Sequence, residues 1–398
     1  MKSINIKRNT DINDIENYFD ELHHYQIIKE KVNLKLPKTL EAMSFPFFSE
    51  IIQLAITWVR NDLTNCLILP INNLDDPEEI ENLYRLEIIY PIVTLCWNNV
   101  IIKNHQGKKL RPILRTFQNN FFKQMMANKP MVGDKLLLVS ADHFSEGLGA
   151  LPTFETNGEF SINQSLLKSQ LKDPIAKVLK LNTGFINEFE EVYDDIITVI
   201  YELMKNTFEW GREDNDGVPL SPSIRGLYVR FYRRKAKNLI DEYKTIKPLF
   251  NFIKHETVKV NEVGEVYLLE LTVFDSGIGF IKKNPPVEKH EPMDIIKMRL
   301  LKHHTSASGI FKDKKGIGLD RILKVMDKKG FVRIKTDSYC VYRDLVEENY
   351  ENYNEKDYKK MKLFDWISNS ETKYKESVYG HGSSVSILFP LKFNYRYD

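Results

Sequence analysis

The chain has 398 residues but only three cysteines, Cys66, Cys96 and Cys340, far apart and in apolar or aromatic surroundings. That excludes a disulfide framework and leaves no thiolate metal spacing, so buried reduced thiols are expected. The first residues, Met1-Lys2-Ser3-Ile4-Asn5, carry no apolar signal core. No apolar run reaches the thickness of a bilayer, and the longest, Leu83 to Ile102, is broken by Arg85, Glu87, Pro91 and two asparagines. A soluble cytoplasmic protein is expected. A dominant charge is lacking too: 57 Lys and Arg face 55 Asp and Glu, leaving +2. The signs are interspersed, so no global argument points to nucleic acid or an anionic membrane. The histidines His23-His24, His105 and His143 have no partners at ligand spacing, and none lies between His143 and His255. No internal repeat is present. What remains is 42% hydrophobic and 28% charged, a globular composition long enough for two or three cores.

Residues 1–150 read as one small α/β unit. Val32–Leu36 alternates as a strand, Phe48–Arg60 reads as an amphipathic helix, and Asn65–Pro70 is a short apolar strand. Asp76–Trp97 reads as one helix opened by Pro77, and Lys135–Ser140 as a buried strand. The order of elements resembles the STAS domains of bacterial regulatory proteins. Residues 151–398 form a second unit, with insertions expected near 211–265 and 344–377. Its long helix carries Phe189, Val192, Ile196, Val199 and Leu203 at steps of three and four. Gly226–Tyr232 alternates, and Val266–Phe274 is a strong strand. Phe331–Lys335 and Ser383–Pro390 are two more strands, and Asp320–Lys328 is a helix ended by Gly330. The basic stretch Arg230–Lys247 is interrupted by Asp241 and Glu242, and Tyr350, Tyr353, Tyr358 and Trp366 stand in the second insertion.

Three patches carry chemistry. Glu202, Asn206 and Glu209 follow at helical spacing and share one side of the long helix. A carboxylate and an amide one turn apart can serve a water and a metal at the same phosphate. Asp275-Ser276-Gly277-Ile278-Gly279 follows a strand directly, where an aspartate can accept from an exocyclic amine and glycines admit a ring. Gly316-Ile317-Gly318-Leu319 opens a helix after Lys312, Lys314 and Lys315, and its free N–H groups suit phosphates. It lacks the Gly-Lys-Ser/Thr of a Walker loop.

In this order the patches resemble the GHKL ATPases, which include gyrase, the heat-shock chaperone ATPase, MutL and the histidine-kinase catalytic domain. The resemblance covers residues 185–391. It implies an α/β (α+β sandwich) fold: a Bergerat-type mixed sheet covered by helices on one face, preceded by the smaller α/β unit. It implies ATP and Mg²⁺ as cofactors. Asn206 matches the Mg²⁺-binding asparagine, Glu202 the general base, and Asp275 the adenine-reading aspartate. Gly277 and Gly279 match the adenine side, and Gly316 and Gly318, with Lys315 and Leu319, the phosphate lid. Glu209 matches the acidic position of gyrase-like members. Gly382-Ser383 stands where the family has Gly-Thr. Thr305-Ser306 stands where some members have Thr-Ser-Lys, but Ala307 replaces the lysine.

A glutamate at 202 and a histidine-free helix argue against histidine autophosphorylation. The chain stops soon after Pro390, so a cation for the γ-phosphate is expected from a protein partner, a second protomer or the N-terminal unit. The resemblance therefore implies slow ATP hydrolysis, with lid closure as a conformational switch. Two alternatives stay open: a protein serine kinase like the anti-sigma-factor kinases, and an ATP-binding regulatory module that never hydrolyses.

Overall fold

The computed structural model describes residues 2–41, 44–143, 149–160, 162–179, 186–258, 260–283, 290–301, 318–353 and 355–391. The chain opens with β1 (Ser3–Asn5), α1 (Ile12–Ile27), β2 (Val32–Lys35), α2 (Phe47–Arg60), β3 (Thr64–Leu69), α3 (Pro77–Tyr84), α4 (Ile89–Cys96) and β4 (Ile101–Asn104). Then come α5 (Arg111–Met126), β5 (Lys135–Ala141), the hairpin β6 (Glu155–Thr156) and β7 (Glu159–Phe160), α6 (Gln164–Val178) and α7 (Ile186–Trp210). The remainder is β8 (Ile224–Lys235), α8 (Ala236–Tyr243), α9 (Lys247–Lys254), β9 (Glu265–Asp275), α10 (Pro292–Leu300) and α11 (Gly318–Val325). It ends with β10 (Phe331–Asp337), β11 (Tyr339–Asp344), a 3-10 turn (Glu355–Lys360), β12 (Phe364–Asp365) and β13 (Gly380–Pro390). The class is mixed α and β. Among the described residues no helix is long and apolar enough to cross a membrane.

Local chemistry explains most helix starts. Asp11 caps α1 and exchanges a capping box with Asp14, while Ile12, Ile15, Phe19 and Leu22 form its buried stripe. Asp76 caps α3 with Pro77 just inside it. The single helix expected over 76–97 is two helices. Pro91 has no N–H to return to the carbonyl of Glu87, and it is tolerated because it falls in the first turn of α4.

Strands β1 to β4 form a parallel sheet in chain order. The other large sheet runs β12-β11-β10-β13-β9-β8-β5, and every neighbouring pair is antiparallel. The mixed sheet expected from the resemblance is thus corrected to an antiparallel one. Strand β5 pairs with β8 from Lys135↔Arg230 to Ala141↔Ile224. It belongs to the large sheet, although a boundary at 150 would place it with the N-terminal unit. The core is also continuous across that boundary, joining Ile4 and Leu34 to Val273 and Ile387. Within 211–265, where an insertion was expected, β8 lies inside the large sheet.

Helices cover both faces of the large sheet, not one. On one face α6 and α7 pack on β5, β8 and β9, with α11 against α7. That face is lined by Leu227, Val229, Leu271, Val273, Val332, Ile334, Val385 and Ile387, which alternate in register. The other face carries Tyr228, Glu270, Thr272, Ser384, Ser386, Arg333 and Lys335, all buried. It is covered by α2 and α4, and toward β10 and β11 by α8 and α9 through Leu239, Tyr243, Phe252, Phe331 and Tyr342.

Helix α2 is the element that joins the two sheets. All its residues from Phe47 to Val59 are buried, including Ser49, Glu50, Gln53 and Thr57. It was expected to be amphipathic, but its polar side has partners rather than solvent. Glu50 forms short ion pairs with Arg333 and Lys335 of β10. Trp58 Nε1 donates to Val32 O at 3.0 Å, which ties the same helix to the parallel sheet. Burial raises the pKa of Glu50, but Lys335 and Arg333 outweigh it and hold the carboxyl below its ordinary value. Its stabilisation is therefore present at neutral pH and is lost as pH falls below the carboxylate range. Replacing Glu50 with Gln leaves two buried cations uncompensated and is expected to cost about 3–5 kcal/mol. The measurement is chemical denaturation of the variant and of Glu50→Met/Arg333→Met/Lys335→Met. The triple variant should recover most of the loss, and a Glu50→Gln midpoint equal to the parent would refute the account.

Candidate functional site

The apolar face under α7 ends in a polar row. Arg225 of β8 pairs in register with Asp275 of β9, Asp275 with Ser383 of β13, and Ser383 with Thr336 of β10. Residues opposite each other in an antiparallel sheet point to the same face. The end of α7 confirms which face. Gly211, just after the helix, lies so close that an added Cβ would sit 2.8 Å from the Asp275 Cβ. The Arg225 guanidinium lies 5.3 Å from the ring of Phe208 on α7, and Arg212 caps that ring at 3.7 Å.

Each member of the row is tied down. Asp275 Oδ1 accepts from Gly277 N at 2.7 Å, and Gly382 N donates to Gly277 O at 2.9 Å. The Thr336 and Ser383 hydroxyl oxygens are 2.9 Å apart. Arg225 is buried and holds Asp142 and Glu155, each at 2.6 Å. The loop after Asp275 crosses to β10: Phe280 N donates to Thr336 Oγ1 at 2.9 Å and Ile281 N to Asp337 Oδ2 at 3.0 Å. Gly279 has φ +92° and presses on the Asp337 carboxylate, where no side chain would fit.

Burial pushes the Asp275 carboxyl up to about 6, against the Gly277 N–H, Arg225, the Ser383 N–H and Arg60, which pull it down. Burial also raises Asp337, whose Oδ1 is buried with no hydrogen-bond partner among the described residues. Two carboxylates with unspent acceptor capacity thus stand at one end of the sheet, beside close-approaching glycine backbone.

Helix α7 brings the other predicted residues alongside. Glu202, Asn206 and Glu209 are all half-buried. Glu202 Oε1 meets Arg321 Nη1 of α11 at 3.0 Å. The Asn206 side chain makes no hydrogen bond among the described residues. Lys329, four residues past the end of α11, pairs with Asp195, so from Arg321 to Lys329 the chain runs antiparallel to α7. The N-terminal end of α11, Gly318, therefore points toward the Asn206 end of α7. Leu319 packs against the core. Thr305, Ser306, Lys315 and Gly316 lie outside the described residues. Sequence reading missed Arg225, Thr336, Asp337 and Arg321. A Thr-Asp pair at the exit of a strand is the only local mark of two of them.

Other expectations resolve structurally. The three cysteines are buried and free. Both ring nitrogens of His143 lie against backbone, near Ser223 O and Thr94 O. In the basic stretch, Arg233 pairs with Glu265 and Arg234 with Glu242. Trp366 is buried, and Tyr350 donates to Asp320 Oδ1 at 2.9 Å, so the 344–377 segment is packed onto α11 and the sheet. Among the described residues no group of three His, Cys, Asp or Glu could hold a metal. Asn206 offers one amide oxygen, of the kind that a cation keeping most of its waters can take.

No protein-family model, curated protein or solved structure matches the chain.

Gly382 tests how tightly this end is built. It has φ +83°, and a Cβ would lie 2.3 Å from Asp275 O; Gly107 has φ +84° with nothing within 4 Å. Alanine at Gly107 should cost about 1–2 kcal/mol from left-handed strain alone. Alanine at Gly382 should cost at least about 1–3 kcal/mol more, because β9 and β13 must part. Equal losses in thermal denaturation would show that the two strands are not held together there.

Proposed function

We propose that this protein binds ATP with Mg²⁺ in a GHKL-type site between α7, the end of β9 and the start of β13, and hydrolyses it slowly as a conformational switch. One observation carries the reading: the end of α7, the Asp275 box and Gly382-Ser383, remote in sequence, meet at one end of one sheet. Ser383 is the register partner of Asp275, and the helix that bears Glu202 and Asn206 ends at Trp210, with the next residue, Gly211, against Asp275 and Gly277.

The residues then take these roles. Asp275 accepts from the adenine amine, and Gly277 and Gly279 admit the ring. Thr336, Ser383 and the open Asp337 oxygen offer further polar contacts. Asn206 holds the Mg²⁺, which when bound draws charge from the phosphate oxygens. Glu202 takes the proton of the attacking water. The positive end of α11 faces the phosphates. The coupling that a switch needs is short: Gln53 of α2 donates to Gly382 O at 3.3 Å and Arg60 to Ser276 O at 3.0 Å, so both loops at the site touch the N-terminal unit.

Asp275→Asn replaces an acceptor oxygen by an amide donor and should lower adenine affinity at least about 100-fold. Retained affinity in calorimetry would refute the reading. The ionised carboxylate binds, so below pH about 6 binding must first release a proton. Affinity for adenosine, whose base and sugar do not titrate there, should therefore fall toward tenfold per pH unit between about 6 and 5. A flat profile would remove Asp275 from base recognition. Glu202→Gln should keep nucleotide affinity while slowing turnover by about 10²–10⁴-fold in a phosphate-release assay; undiminished hydrolysis would exclude Glu202 as the base.

A further inference from the structure

We propose that Arg321 is the cation that neutralises the phosphoryl group in flight, supplied from α11 of the same chain; this rests on the site read above. Phosphoryl transfer spreads negative charge over the equatorial oxygens, and a positioned arginine there contributes about 10³–10⁵-fold to turnover.

The geometry points to this side chain. The base that orients a water must lie within hydrogen-bond reach of it, and the water within about 3–3.5 Å of phosphorus. A guanidinium already touching that base is therefore one water away from the reacting phosphate. Arg321 Nη1 sits 3.0 Å from Glu202 Oε1, and the rest of its fork makes no other hydrogen bond among the described residues. Its side chain is 40% exposed, against 13% for Glu202, so it is free to turn while the carboxylate is not. The helix that carries it is fixed. Ile322 and Leu323 are buried in the core, Asp320 receives the Tyr350 hydroxyl, and Asp327 receives the Tyr350 N–H. Lys329 is engaged with Asp195 two turns away along α7. A half-exposed ion pair of this kind adds at most about 1 kcal/mol to stability, which is little reason to place arginine over lysine at this position.

The step balances without another reagent. Water oxygen bonds to the γ-phosphorus, and Glu202 takes the proton. The bond from γ-phosphorus to the bridging oxygen breaks, its electron pair leaves on ADP, and inorganic phosphate is released. Arg321 moves its free N–H groups from the carboxylate side onto the non-bridging oxygens as their charge grows.

The test uses the full chain, with Arg321→Ala and Arg321→Lys beside the parent. It measures Mg-ADP affinity, ATP turnover, and affinity for the ADP–aluminium fluoride complex that imitates the transferring group. For Arg321→Ala we expect ADP affinity within about threefold, and turnover and aluminium fluoride complex affinity both down by at least about 100-fold. Arg321→Lys should recover part of both, and added guanidinium at non-denaturing concentration should raise the turnover of the alanine variant. Turnover and complex affinity unchanged in Arg321→Ala would overturn the proposal while leaving the ATP site standing. Faster turnover would also overturn it, since Arg321 would then be restraining Glu202. Failure of the parent to bind Mg-ADP would remove the site reading itself, and the proposal with it.

Discussion

One carboxylate sets the geometry on which the molecule depends. Glu50 is buried in the first turn of α2, between Arg333 and Lys335 of β10. Neither cation has an alternative carboxylate at ion-pair distance among the described residues, so the helix has one seating on the sheet. Once Glu50 is placed, the α-helical repeat puts Gln53, Thr57 and Arg60 on the same stripe. They land on Gly382 O, His381 N and Ser276 O. A structural ion pair thereby fixes the backbone of the two loops that frame the candidate site. Replacing all three charges by apolar groups could keep the stability, but it would give up this specific register.

The large sheet divides its labour by face. The face toward α2 is crowded with polar side chains, and the protein's own N-terminal half fills it. Glu270, which burial pushes to about 7 against its bonds to Tyr232 and Thr272, belongs to that internal network. The face toward α7 is apolar across its centre, at Leu227, Val229, Leu271, Val273, Val385 and Ile387, and carries the Arg225–Asp275–Ser383–Thr336 row at one end.

The same division explains how much was legible in the residues. Helix α7 was legible because its apolar repeat is long and its buried stripe unbroken. Strand β9 was legible because nine β-prone residues run straight into a turn. The burial of α2 was not. Glu50, Gln53 and Thr57 look like a wet face, and Arg333, the partner of Glu50, lies 283 residues further along the chain. The break between α3 and α4 was written in Pro91, yet the apolar run around it masked the signal. Strand β5 was read correctly as a strand and placed in the wrong sheet, because alternation says nothing about which edge a strand joins.

The sequence by itself determined α7, the strands β8, β9, β10 and β13 in their order, and the residue types able to handle a phosphate: a carboxylate and amide one turn apart, an aspartate at a strand end, and glycines after it. Those follow from local rules, helical repeat, strand alternation and turn chemistry, which act within a few residues. Only the tertiary structure decided that Asp275, Ser383 and Thr336 stand in one row, that Gly211 lies against Asp275, and that Arg321 touches Glu202. Register between distant strands and packing between distant helices are set by burial and charge pairing across the whole fold. No local segment contains both partners.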